Sequence, residues 1–115
     1  MDLSAFLDVN PEEPETVVAF FDGNALSHIA INSAFMRGGV VLQQSPLWTE
    51  GANKDWLMMH AEEHRMWSRT LGIADLPGAD ATTLETLDVN DPDAVAAWQD
   101  YHYQHTALVA QALGL

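Results

Sequence analysis

Two pairs of residues repeat one spacing. Trp56 and His60 stand four apart, as do Trp98 and His102, and His64 follows His60 by four more. In a helix this spacing brings side chains onto one face. Imidazoles at i and i+4 can share a metal ion, and Glu63 or His105 would add a donor. The same residue types also build hydrogen-bonded layers that fix the register of packed helices.

On a helical wheel with Trp56 at zero, His60 falls at about 40°, His64 at about 80°, Trp67 at about 20° and Leu71 at about 60°. With Trp98 at zero, Val95 falls at about 60°, His102 at about 40°, Val109 at about 20° and Leu113 at about 60°. From Phe20, the stripe holds Val17, Ile31 and Phe35 together with Asn24 and His28. Polar groups thus recur at matching depths in three apolar stripes: Asn24, His60 and His102 in one layer, His28, His64 and Thr106 one turn on. Buried polar groups must be satisfied, because an orphan costs about 1–3 kcal/mol. The expectation is therefore a structural polar layer of Asn24, His28, His60, His64, His102 and Thr106, with no metal and no cofactor. The alternative is a metal site built from His60, His64, His102, His105 and Glu63. The Glu-x-x-His pairs of di-iron carboxylate bundles do not occur: Glu63 adjoins His64, and Gln99 stands three before His102.

Other chemistry is poorly served. Ser27, Ser33 and Ser68 lack the surroundings of a nucleophile elbow. Gly38-Gly39 follows a helix rather than opening one, which is wrong for a phosphate loop. The pairs Glu12-Glu13 and Glu62-Glu63 read as a solvated end and a solvated face. The chain is read as not an enzyme.

The elements that must carry these stripes have start and stop signals. Asp91-Pro92-Asp93 places a capping carboxylate, a proline at the first helical position and an acid in the first turn, and Glu13-Pro14-Glu15 repeats that chemistry. Gly38, Gly72 and Gly114 stand where a glycine ends a helix. Helices are expected at 14–37, 50–71 and 92–113, in a helical domain of residues 14–115 preceded by an N-terminal arm, 1–13, in which Leu3, Phe6 and Leu7 can dock. Trp56 to Leu71-Gly72 and Trp98 to Leu113-Gly114 have one spacing, and Leu7-Asp8-Val9-Asn10 recurs as Leu87-Asp88-Val89-Asn90. Self-similarity at about 40 residues indicates one supersecondary unit used three times. The fold class is all-α: a bundle of three main helices from a degenerate repeat, with an arm and an extended apolar connector at 38–48. A loop carries Pro77-Gly78, with a short helical turn at 82–87.

The chain has 115 residues, 4 Lys+Arg against 17 Asp+Glu, and a net charge of −13. This opposes binding to nucleic-acid phosphates. No cysteine is present, so disulfides and thiolate sites are excluded. Apolar residues reach 48%, enough for a core, but no run approaches the ~18–20 residues of a membrane span. No basic stretch precedes an apolar one, so no signal peptide is expected. Thirteen of the seventeen carboxylates fall outside the helix bodies, in the arm, loops and first turns. Such acidity favours a basic protein surface as partner. Met58, Met59, Met66, Tyr101 and Tyr103 lie off the stripes, and with Val40, Val41, Leu42 and Trp48 they form an expected interface.

Trp56-x3-His60-x3-His64 ending in Leu71-Gly72, and Trp98-x3-His102 ending in Leu113-Gly114-Leu115, resemble a pattern in small acidic helical accessory proteins of tailed-bacteriophage virions. The resemblance covers about half the chain. The third segment departs from it, with Thr106 in place of the second histidine and His105 one position early. The resemblance implies a capsid decoration or head–tail component, with no catalytic residue. The expected function is a non-enzymatic virion structural protein, multicopy or homo-oligomeric, docked on capsid or head–tail proteins through many weak contacts. It implies location in the virion, otherwise in the bacterial cytoplasm, with no direct nucleic-acid or membrane contact. The rivals are an acidic inhibitor or nucleic-acid mimic that fills a basic cleft, and a histidine-based metal-binding bundle.

Overall fold

A computed structural model describes residues 1–42, 54–73, 87–88 and 90–115. Among these the protein is all-α. The helices are α1 (Ser4–Leu7), α2 (Pro14–Arg37), α3 (Lys54–Leu71) and α4 (Pro92–Ala112). The connector from 43, including Trp48, the expected helix start at 50 and the loop at Pro77-Gly78 lie outside the described residues.

The two proline starts differ in their caps. Asp91 has an extended backbone, and its carboxylate accepts from the backbone N–H of Asp93 at 3.0 Å and of Ala94 at 3.5 Å. Glu13 occupies the same position in α2 but makes no side-chain cap bond. The expectation of repeated capping chemistry is corrected there: the extra methylene of Glu takes its oxygens past the short reach that favours Asp, Asn and Ser. Thr16 ties the arm instead. Its hydroxyl accepts from the Asn10 N–H at 2.8 Å and donates to the Glu13 carbonyl at 2.7 Å.

The three long helices end alike. Val40 N–H bonds Phe35 C=O at 3.0 Å, Ile73 bonds Ser68 at 3.0 Å, and Leu115 bonds Ala110 at 2.9 Å. These six-residue closures are Schellman motifs, which place a left-handed residue just past the helix. Gly39, Gly72 and Gly114 fill that position, with φ of 84°, 69° and 74°. In α2 the left-handed glycine is thus Gly39, not Gly38, whose φ is −82°. Val40 and Ile73, which follow the first two of these turns, pack on the core, while Leu115 is exposed.

All three long helices run in one direction. Phe20, Trp56 and Trp98, each near a helix start, share a cluster with Phe6, Leu57 and Ala61. Ile31, Phe35, Trp67 and Val109, each near a helix end, share another. Parallel neighbours require long connections, and the stretches 38–53 and 72–91 supply the length. From the arm only Phe6 is buried, its ring 5.5 Å from that of Phe20, while Leu3 packs at the edge and Leu7 is exposed.

Candidate functional site

Between the two apolar clusters lies a polar interior. Asn24, Ser27, His28, Asn32, His60, Glu63, His64, Ser68, His102, His105 and Thr106 are all buried. The six residues expected in a polar layer are among them. Glu63 corrects the reading of a solvated pair: it is 1% exposed while its neighbour Glu62 faces solvent and meets Arg65 and Arg69. The reason is geometric. Glu63 stands seven residues from Trp56, so it falls at about −20° on the wheel, inside the stripe. Asn32, Ser68 and Ser27 were not anticipated either.

Four imidazoles converge. His28 from α2, His60 and His64 from α3, and His102 from α4 each offer one ring nitrogen, and these four atoms lie within 4.8 Å of one another. The His28 and His60 Nε2 atoms are 3.2 Å apart. Ring centroids are 4.9 Å apart for His28–His60, 4.5 Å for His60–His64 and 4.7 Å for His60–His102.

The outward nitrogens of His28 and His64 are held by a second set of residues. His28 Nδ1–H donates to Glu63 Oε1 at 3.0 Å, and Asn32 Nδ2–H donates to the same oxygen at 2.7 Å. Trp67 Nε1–H donates to Asn32 Oδ1 at 2.9 Å, which fixes the amide that steadies the carboxylate. This tautomer leaves the His28 Nε2 lone pair facing the cluster. On the other side, His64 Nδ1 and His105 Nδ1 are 2.7 Å apart, and His105 Nε2 is 2.6 Å from Ser68 Oγ. With the shared proton on His64 Nδ1, its Nε2 keeps a free lone pair. Among the described residues, His64 Nε2 and both nitrogens of His102 have no hydrogen-bond partner. His60 Nε2 is 3.1 Å from Asn24 Oδ1.

Burial holds His60, His64 and His102 well below the ordinary imidazole range, and the neighbouring imidazoles push the same way. Burial lowers His28 as well, opposed by its hydrogen bond and attraction to Glu63. All four are therefore neutral near pH 7, the form that donates a lone pair to a metal.

Indoles close the cluster from both ends. Trp56 stacks on His60 at 4.6 Å and Trp98 on His102 at 5.0 Å, the latter with ring planes nearly parallel at 5°. Trp67 lies 4.5 Å from both His28 and His64. Of the alternative metal set read from sequence, His60, His64 and His102 face the cluster, His28 joins them, and Glu63 and His105 stand behind as hydrogen-bond partners.

The expected interface residues divide. Met58, Met59 and Val41 are exposed, and Met66 is half-buried. Tyr101 and Tyr103 pack against the first cluster, and Val40 and Leu42 against the second. No helix among the described residues is long and apolar enough to cross a membrane. No protein family, curated protein or solved structure matches this chain.

Proposed function

We propose that this protein is a metal-binding helical bundle that holds one transition-metal ion through His28, His60, His64 and His102. The carrying observation is the convergence of four buried ring nitrogens within 4.8 Å, with no carboxylate or thiolate in the inner set. An all-imidazole site suits Zn²⁺, Cu²⁺, Ni²⁺ or Co²⁺ and disfavours Mg²⁺ and Ca²⁺, which need oxygen ligands. A tetrahedron of Zn–N bonds of about 2.0–2.1 Å has edges of about 3.4 Å, so the rings draw in slightly on binding.

The surroundings support the same reading. Metal-ligating histidines characteristically donate their other N–H to a carboxylate or another acceptor. Glu63 does this for His28, and His105 is placed to do it for His64. The buried Glu63 also offsets part of the ion's charge, which a dry interior would otherwise penalise. The Trp56 and Trp98 faces lie against rings that take on positive character once ligated.

The test is titration of chelator-treated protein with Zn²⁺ by calorimetry, and with Co²⁺ by visible absorption. The expected result is one ion per chain, intense tetrahedral Co²⁺ bands, and loss of both in the His28→Ala/His64→Ala double variant. Absence of stoichiometric binding by any of the four ions overturns the proposal.

A second reading is the non-enzymatic structural component docked on a capsid or head–tail assembly. It is supported by the exposed Val18, Leu26, Ile29 and Met36 along the outside of α2, and by the −13 charge, which suits a basic partner surface. Co-sedimentation with purified virions tests it, and absence from the particles removes it.

A further inference from the structure

The exposed residues of α2 from Glu15 to Arg37 form one stripe on its outer side. With Phe20 at zero on the wheel they fall between about 160° and 260°, opposite the core. Val18, Leu26, Ile29 and Met36 in this stripe are 54% to 67% exposed. In a chain of net charge −13, the whole helix has only Glu15, Asp22 and Arg37 as charged residues. A basic partner is drawn to carboxylates, and most of them lie elsewhere. Arg37 is a second, independent feature. Arg65 and Arg69 both pair with Glu62, whereas Arg37 is exposed and has no ion pair among the described residues.

We propose that the occupant of this stripe is a second copy of the chain, its α2 antiparallel to the first across a two-fold axis. The stripe is complementary to itself when turned end for end, which a two-fold interface requires. One centre, between Ser27 and His28, serves every pair. Leu26 then lies opposite Ile29 of the second copy, and Val18 opposite Met36, so apolar meets apolar. Asp22 lies opposite Ser33, whose hydroxyl can donate to the carboxylate. Arg37 of the second copy lies over Ala19, a small residue with Glu15 and Asp22 one turn to either side. The unpaired cation thus meets two carboxylates. A parallel pairing would instead set Asp22 on Asp22 and Arg37 on Arg37, and would align the helix dipoles. The four apolar side chains expose roughly 100 Å² each, so with flanking atoms the pair buries about 1,000 Å², the lower bound for specific association. The dimer is therefore weak and forms by mass action. It uses none of the four imidazoles, so it stands whether or not they bind an ion, and it occupies the α2 face that a capsid surface would need.

The experiment is analytical ultracentrifugation of the full chain at concentrations up to about 1 mM, the range of weak association. A reversible monomer–dimer equilibrium is expected. Ile29→Glu, at a position exposed in the monomer, leaves the circular dichroism unchanged and the chain monomeric throughout. Arg37→Glu weakens the dimer about tenfold, and adding Glu15→Arg to it restores most of the loss. Orientation is read by cross-linking, since the chain has no cysteine of its own. Val18→Cys and Met36→Cys chains oxidised together form the mixed disulfide, whereas Val18→Cys alone does not, because its two copies stand about 28 Å apart along the helices. A chain that stays monomeric over the whole range overturns the proposal, including one that is monomeric yet co-sediments with virions. A dimer that survives Ile29→Glu, or a disulfide formed by Val18→Cys alone, overturns it as well.

Discussion

Replacing His102 by Phe separates what the cluster is for from what it does to stability. The His102 ring stacks on Trp98 at 5.0 Å and lies 4.7 Å from Phe6 and 5.6 Å from Phe20, so its surroundings are already aromatic. Neither of its nitrogens has a hydrogen-bond partner among the described residues, although the side chain is buried. A benzene ring keeps the stacking and removes both orphan polar atoms, a gain of about 1–3 kcal/mol. Phe is slightly larger than His, and the tighter packing takes back up to about 1 kcal/mol. Metal-free His102→Phe is therefore expected to be more stable than wild type by about 1–2 kcal/mol. For a domain of this length that is a rise of roughly 3–8 °C in Tm. The same variant loses Zn²⁺ affinity, because one of four donors is gone. Urea unfolding in chelator and Zn²⁺ calorimetry on the same preparation read both effects. A metal-free variant less stable than wild type by 1 kcal/mol or more refutes the reasoning, since it would mean that the His102 nitrogens are satisfied in the folded protein.

Three further outcomes follow from the same geometry. Glu63→Gln keeps one acceptor for His28 and Asn32 but removes the charge, and is expected to weaken Zn²⁺ binding about 10- to 100-fold with unchanged circular dichroism; unchanged affinity would show that Glu63 does not support the ligand. Because burial holds His60, His64 and His102 well below the ordinary imidazole range in the folded protein, the unfolded chain takes up protons first as pH falls. Stability of the metal-free protein is thus full above about pH 6.5 and declines below it, by at most about 1 kcal/mol per pH unit for each histidine; urea midpoints that stay level from pH 7 to pH 5 would contradict this. Gly72→Ala forces a Cβ into a left-handed conformation with φ of 69° and is expected to cost about 1 kcal/mol in thermal or urea unfolding, with metal affinity intact; no loss would mean that the turn tolerates a side chain.

The sequence was most legible where one local rule decides. Proline at a first helical position and glycine in a left-handed turn need no tertiary partner, and Pro14, Pro92, Gly72 and Gly114 stand where that rule puts them. The buried polar residues were legible through the wheel, which placed His60, His64 and His102 on apolar stripes. Glu63 was misread because its neighbour Glu62 is solvated and the pair looked like one surface. Its spacing carried the correct signal: Ser27, Glu63 and His105 each stand seven residues beyond Phe20, Trp56 and Trp98, and all three are buried. The convergence of His28 with residues of two other helices was not legible. Which rings meet depends on helix direction and rotation, and those are settled by packing across the whole interior.

That direction carries a physical consequence. Three parallel helices align three macrodipoles, each equivalent to about half a charge at either end, which disfavours the arrangement. Glu15 and Asp93 in the first turns and the Asp91 cap offset the positive end. What the arrangement gains is level matching. Residues aligned by the shared stripe come to equal depths in the bundle, so Phe20, Trp56 and Trp98 meet in one apolar layer and Ile31, Trp67 and Val109 in another. The residues between them come together as well: Asn24 reaches His60, and His60 reaches His102. An antiparallel neighbour would set the Phe20 layer of one helix against the Val109-type layer of the next and scramble the two apolar clusters. Imidazoles from three helices converge here because their levels coincide, and the long connectors let the three helices keep one direction.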